Sequence, residues 1–226
     1  EACNIPVIAD CDTGYGGPTN VAHLVKKFEK AGIGGICMED KIFPKENSLF
    51  KDGKQDILSK RDFVSKLVAA KNARKNPNFL IIGRTEALIA DLGVDEAIDR
   101  ANAYEKAGAD VIFTHSRKTS PDEIFEFCKQ WKGKIPLMIV PTAYPTVTLD
   151  ELESHGIAMV VYAHQTTLAA FAAVSDVIKQ MSKVKSLSDL NINLAPMEDV
   201  FNLQGMQKIR NHESTIEEKV KKLDLN

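Results

Sequence analysis

The sequence predicts a parallel α/β protein of the (β/α)8 TIM-type barrel class. Three observations predict it: six short apolar runs, helical patterns between them, and polar residues at the end of every run. The runs lie at 6–9, 35–38, 79–83, 110–113, 136–140 and 158–162. Each is near-continuous in Ile, Val, Leu or Met, the composition of a strand covered on both faces and therefore of a parallel sheet. Asp10, Asp12, Glu39, Arg84, Glu86, His115, Thr142 and His164 stand at or just past the six ends. A barrel gathers all such ends at one mouth, whereas an open doubly wound sheet gathers mainly those at its switch point. Six units are two short of eight, so the first two βα units are expected to be absent from this chain. A six-stranded open sheet, complete as written, is the alternative.

The helical patterns follow in order. Residues 21–30 place Val21, Leu24, Val25 and Phe28 on one face, and 62–73 do the same with Phe63, Leu67 and Val68. Residues 94–106 carry Ala97, Ile98, Ala101 and Tyr104. Ser120 and Pro121 open a helix over 122–131 as an N-cap and a first-turn proline. A short helix at 148–154 and a long, alanine-rich one at 166–181 complete the series, while Gly32 and Gly108 end helices just before a strand. Residues 1–182 are thus expected to form the barrel domain of six βα units, and 183–226 a C-terminal helical extension that docks on a neighbouring subunit. Within the extension, 196–204 should be helical, and the charged tail over 212–222 should fray.

A formal net charge of −2 gives neither a basic footprint for nucleic acid nor a polybasic membrane arm. No segment has the length and apolarity of a membrane span. Cys3, Cys11, Cys37 and Cys128 show no metal-binding spacing and read as free, mostly buried thiols. A reducing, cytoplasmic setting is expected.

The chemistry is concentrated at the run ends. Asp10-Cys11-Asp12 leads into the glycine-rich turn Thr13-Gly14-Tyr15-Gly16-Gly17, and two such carboxylates joined by Glu39 can hold Mg²⁺. Ordinary turn chemistry is the plainer reading. Arg84 can grip a carboxylate or phosphoryl group bidentately, or simply pair with Glu86 two residues on. His115 can donate to the same anion or hydrogen-bond within the mouth. The polar loop after Glu39 offers Lys45, Asn47 and Ser48, one cation and two neutral donors, as a lid over a charged substrate. No P-loop or dinucleotide fingerprint is present.

Taken together, Asp10-Cys11-Asp12-Thr13-Gly14-Tyr15-Gly16, Glu39-Asp40-Lys41-Ile42-Phe43-Pro44-Lys45-Glu46-Asn47-Ser48, Gly83-Arg84-Thr85-Glu86-Ala87 and His115-Ser116 resemble the phosphoenolpyruvate mutase family of the isocitrate lyase superfamily. The resemblance runs from Asp10 to about Gln204. It implies a Mg²⁺-dependent isomerase of phosphonate biosynthesis, interconverting phosphoenolpyruvate and phosphonopyruvate by phosphoryl transfer. Asp10 is then the direct Mg²⁺ ligand, with Asp12 and Glu39 holding metal-bound water. Arg84 and His115 face the phosphoryl group, and Lys45, Asn47 and Ser48 close over it. A homodimer or homotetramer with exchanged C-terminal helices is implied as well. The superfamily's lyases carry a cysteine in a Lys-x-Cys-Gly-His loop, which this chain lacks. Phosphonopyruvate hydrolase shares the lid motif but typically has threonine at the position of Asn47, and it is the alternative. An inactive barrel fragment acting only through oligomer association is a second alternative, because the family's substrate-binding loop after its first strand would precede Glu1. After the last run the chain reads Ala163-His164-Gln165-Thr166, a departure from the family's Asn-His pair.

Overall fold

A computed structural model describes residues 4–50 and 55–223. Six strands, β1 (Ile8–Asp10), β2 (Gly35–Glu39), β3 (Leu80–Thr85), β4 (Val111–Thr114), β5 (Leu137–Ile139) and β6 (Ile157–Val160), lie side by side in sequence order. Every neighbouring pair is parallel. Between successive strands run α1 (Pro18–Lys30), α2 (Lys60–Ala73), α3 (Gly93–Lys106), α4 (Asp122–Gln130) and α5 (Leu149–Ser154). A doubly wound sheet reverses its strand order at a switch point, and this sheet does not. The six strands form a curled portion of a (β/α)8 barrel wall.

Successive strand residues point to opposite faces, so each strand sorts its side chains into two layers. Ile36 and Met38, Ile81, Ile112, Leu137 and Ile139 face the helices and pack on Val21, Val25, Phe63, Leu67, Tyr104, Ile124 and Phe127. Cys37, Ile82, Val111 and Phe113 face the barrel interior with Ile8, Met138 and Met159. The alternation continues past the apolar positions. It carries Asp10, Glu39 and Arg84 onto the interior face and Asp40 and Thr85 toward the helices. β2 and β3 reach further than the apolar runs indicated, to Glu39 and Thr85, and these two charged residues, Glu39 and Arg84, are register partners across the ladder. Polar residues hold strand geometry here because both ends of the ladder still find backbone partners.

Gly32 and Gly108 adopt φ of 79° and 100° just past α1 and α3, as expected of helix-closing glycines. Ser120 Oγ accepts from the Asp122 N–H at 3.3 Å, although Pro121 occupies the cap position itself. α2 starts two residues earlier than its apolar pattern, where Ser59 Oγ accepts from the Asp62 N–H at 3.1 Å. Cys11 and Cys37 are buried free thiols and Cys128 is half-buried, while Cys3 lies outside the described residues.

The chain divides into two compact units, Glu1–Gln165 and Thr166–Asn226. α6 (Gln165–Met181), a 3-10 turn at Leu187–Asp189, α7 (Met197–Leu203) and α8 (Met206–Lys221) make up the second. The tail expected to fray is helical as far as Lys221. Its charges hide an apolar stripe, Ile209, Ile216 and Val220, at spacings of a helix face. None of the side chains of α6, α7 or α8 is buried. Among the described residues no helix is long and apolar enough to cross a membrane.

Candidate active site

At the C-terminal ends of the strands a cavity of about 490 Å³ opens, lined by Asp10, Glu39, Lys45, Asn47, Ser48, Arg84 and His115, among others. Seven of the eight residues to which the resemblance gives a role therefore share one cavity. The eighth, Asp12, joins through Lys45, whose Nζ lies 2.6 Å from Asp12 Oδ1 and 3.0 Å from Glu39 Oε1.

The loop after β1 is held by its own backbone. Asp12 accepts the Glu39 N–H at 2.8 Å, and the Asp12 N–H donates to Asp10 Oδ1 at 2.9 Å. Asp12 and Tyr15 adopt left-handed φ of 52° and 54°. At Gly14, with φ 88°, a Cβ would come within 2.6 Å of Val21, so only glycine fits the turn. Lys66 of α2 donates to the Thr13 carbonyl at 2.7 Å and pins the loop from below.

Arg84 is the most constrained cation of the site. Its Nε lies 2.5 Å from Glu86 Oε1 and 3.3 Å from Glu39 Oε2, and its guanidinium sits 4.7 Å from the centroid of the Phe113 ring. Glu86 pairs with Arg84, as the plainer sequence reading had it, and Arg84 also lines the cavity. Burial works against its charge, yet Glu86 and Glu39 overcome that and drive its pKa above the ordinary arginine value. Burial raises the Glu39 carboxyl pKa, with Arg84 and Lys45 opposing. Burial alone would also raise Glu86, but Arg84 and the Ser48 hydrogen bond hold it below the usual carboxylate value.

Two lid residues that line the cavity are engaged by the protein's own charged groups. Lys45 rests on the carboxylates of Asp12 and Glu39. The Ser48 hydroxyl donates to Glu86 Oε2 at 2.6 Å and accepts from Lys41 Nζ at 3.0 Å, so it faces the barrel floor. Asn47 uses Oδ1 to accept the Leu49 N–H at 2.8 Å, and its amide nitrogen makes no hydrogen bond among the described residues. Glu86, which the sequence offers only as a partner for Arg84, and Lys41, which it does not single out, are both fully buried beside the site. The available signal was spacing: each stands two residues beyond a recognised interior residue, Arg84 or Glu39, on the same strand face.

Beneath the cavity, Asp40 ties three elements together. Its carboxylate accepts the Glu86 N–H at 2.8 Å, the Tyr104 hydroxyl at 2.5 Å, Arg100 Nη1 at 3.1 Å and the Thr85 hydroxyl at 3.2 Å. Strand β3 and helix α3 are thereby fixed to the end of β2.

His115 is buried, and its Nδ1 has no hydrogen-bond partner among the described residues. Burial first, then the Arg84 charge, push its pKa down to about 4. The imidazole is therefore neutral at physiological pH. Unfolded, it would titrate near 6.5, so between those values the unfolded chain binds more protons and stability falls as pH is lowered through the window. The linkage amounts to about 3 kcal/mol. His115→Asn is expected to flatten the dependence of the urea midpoint on pH between 6.5 and 4. An unchanged slope in the variant would remove His115 as its source.

Asp10, Asp12 and Glu39 offer only carboxylate oxygens, the hard donor set that Mg²⁺ prefers, and the ammonium of Lys45 already lies between two of them. Among the described residues no three His, Cys, Asp or Glu side chains converge as direct ligands on one ion. The set fits an ion held by one or two carboxylates, with water completing its shell. Among the described residues no thiol is poised as a nucleophile: burial raises the Cys37 thiol pKa and pushes Cys128 up to about 11, and burial with Asp10 and Asp12 pushes Cys11 up to about 12.

Residues 1–182 match a family model described as phosphoenolpyruvate phosphomutase. The crystal structure of a phosphoenolpyruvate phosphomutase from Streptomyces platensis subsp. rosaceus is 41% identical and superposes with a TM-score of 0.90, covering 94% of this chain and 74% of that one. Phosphonopyruvate hydrolase of Variovorax sp. (strain Pal2) is 42% identical over 208 residues, 92% of this chain and 72% of the relative. A phosphonopyruvate hydrolase solved in complex with oxalate and Mg²⁺ is 40% identical with a TM-score of 0.86, over 94% of this chain and 73% of that one. With the strand order, the strand-end cavity and the match over residues 1–182 all agreeing, the chain belongs to the phosphoenolpyruvate phosphomutase family.

Proposed function

We propose that this chain is a Mg²⁺-dependent isomerase that interconverts phosphoenolpyruvate and phosphonopyruvate. The observation that carries this reading is Asn47, which lines the cavity with Arg84 and His115 and whose amide nitrogen makes no hydrogen bond among the described residues. Starting from phosphonopyruvate, the P–C bond breaks with its electron pair left on the enolate, and the phosphoryl group is recaptured by the enolate oxygen. Such a transfer through a loose transition state needs positioning and charge neutralisation more than a protein nucleophile.

The residues divide that work. Arg84 neutralises phosphoryl charge, and its fork is aimed by Glu39 and Glu86. Asn47 donates from the lid, and neutral His115 donates without adding charge. Held by Asp10, with Asp12 and Glu39 around it, Mg²⁺ would supply positive charge to the substrate's oxyanions. The lid keeps water from the transferring group.

Phosphonopyruvate hydrolysis to pyruvate and phosphate is the second reading, because the Variovorax hydrolase is as similar to this chain as the Streptomyces platensis mutase. Asn47 separates the two. Threonine there loses the amide donor and opens space over the phosphoryl group. Asn47→Thr is expected to raise phosphate release at the expense of rearrangement, followed by phosphorus NMR. Product ratios equal to the wild type would remove Asn47 from the lid's chemistry.

We also propose that the enzyme works in the cytoplasm and that residues 183–226 serve subunit association in a homodimer or homotetramer. The exposed apolar side chains of Phe201 and Leu203 on α7, and of Ile209, Ile216 and Val220 on α8, support it.

A further inference from the structure

We propose that Lys41 is a positioning residue whose buried ammonium latches the lid to the end of β3, and that this latch, by holding Asn47 in place over the cavity, biases the transferring phosphoryl group toward the enolate oxygen rather than water. The inference rests on the mutase reading and extends it to a residue outside the cavity lining.

Lys41 leaves the end of β2 and is 1% exposed. Its Nζ donates to the Glu46 carbonyl at 2.7 Å and to Ser48 Oγ at 3.0 Å, and lies 3.6 Å from Glu86 Oε2. Ser48 in turn donates to Glu86 Oε2 at 2.6 Å, and Glu86 Oε1 receives Arg84 Nε at 2.5 Å. One buried chain therefore runs from the lid through Lys41, Ser48 and Glu86 to the cation that faces the substrate. Two of the acceptors that satisfy the Lys41 ammonium belong to the lid. Lifting the lid would strip them from a buried charge, and a buried charge without partners is strongly disfavoured.

Among the described residues the other fastenings are longer, more exposed or confined to the base of the lid, and Arg84 Nη2 reaches Ser48 Oγ only at 3.5 Å. The lid's two stems meet at the Lys41–Ile57 bridge and through Ile42 N–H to the Asp56 carbonyl at 3.1 Å, which closes its base and leaves residues 43–50 free of the ladder. Lys45 ties the lid to Asp12 and Glu39, but that pair is partly exposed and therefore screened by solvent. Lys41 grips both neighbours of Asn47, Glu46 by its carbonyl and Ser48 by its hydroxyl, so it also sets where Asn47 stands.

The chemical consequence follows from what reaches the phosphoryl group. With the lid latched, the enolate oxygen recaptures it and phosphoenolpyruvate forms. With the lid loose, a water oxygen takes it and releases a proton, C3 of the enolate is protonated, and pyruvate and phosphate result.

The test pairs Lys41→Met, an unbranched replacement of similar length, with Ser48→Ala, which removes one hydroxyl from the other side of the latch. Amide hydrogen exchange over residues 42–50 and the ratio of phosphate to phosphoenolpyruvate formed from phosphonopyruvate are measured in both. Loss of a hydrogen bond to a charged group is expected to speed lid exchange by at least about tenfold while the strands keep wild-type protection. The product ratio should shift toward phosphate, and the double variant should shift it no further than the stronger single one. Unchanged lid exchange, or faster exchange with an unchanged product ratio, would overturn the latch. Should Lys41→Met fail to fold, Ser48→Ala decides by the same readouts. Should the wild type release only phosphate, the mutase reading fails, and lid exchange alone decides whether the latch exists.

Discussion

Arg84→Ala is expected to lower kcat/KM for phosphonopyruvate by roughly a thousandfold, the scale of losing a preorganised donor that meets developing charge. Three features give Arg84 the largest expected effect. It is mostly buried, so its charge acts in a medium of low effective dielectric. It is oriented by two carboxylates and the Phe113 face, so little reorganisation is needed as the reaction proceeds. It is also the strand residue paired in register with Glu39, which fixes its depth in the mouth. Arg84→Lys keeps the charge and loses the planar fork, and it should recover only a small part of the activity. Removing the guanidinium also leaves Glu39 and Glu86 without their main counter-ion, and a stability loss of about 3–5 kcal/mol is expected to accompany the kinetic one. Steady-state kinetics on folded protein and a urea titration separate the two effects. Near-wild-type turnover in Arg84→Ala would contradict the assignment.

Asp40→Ala is expected to cost about 3–5 kcal/mol of stability and to abolish activity without touching the cavity. Its carboxylate is the shared acceptor for Arg100, Tyr104, Thr85 and the Glu86 N–H. Truncation leaves those groups buried and without their shared acceptor. Glu86 and Arg84 then lose the floor that positions them. Asp40→Asn keeps the shape and one acceptor oxygen, so its loss should be smaller and should fall chiefly on the Arg100 pair. The urea midpoints of the two variants rank them, and an Asp40→Ala protein as stable as the wild type would show that the node carries no load.

The strand positions were legible because a strand covered on both faces must be apolar throughout, and six such runs admit few arrangements. The candidate residues were legible for a related reason: a charge abruptly ending an apolar run has to be solvated or used. Asp40, Lys41 and Glu86 were harder to read. They stand beside charges that were recognised, and sequence spacing alone does not say which of two adjacent acids faces the cavity and which faces a helix. Strand parity separates them once β2 is known to continue through Glu39, sending Asp40 to Tyr104 and Arg100. The direction of the Ser48 hydroxyl depends on Lys41 and Glu86 lying below the lid, a long-range arrangement that no local pattern contains. Lys45 turns to Asp12 and Glu39 because those carboxylates are the strongest field within its reach. At the other end of the chain, a high charge density concealed the apolar stripe that makes α8 a helix.

The most direct measurement is phosphorus NMR of the purified protein incubated with phosphonopyruvate, with Mg²⁺ and again with the ion chelated. A phosphoenolpyruvate signal that grows only in the presence of Mg²⁺ is expected. Inorganic phosphate appearing in its place, with pyruvate alongside, would contradict the isomerase and establish the hydrolase.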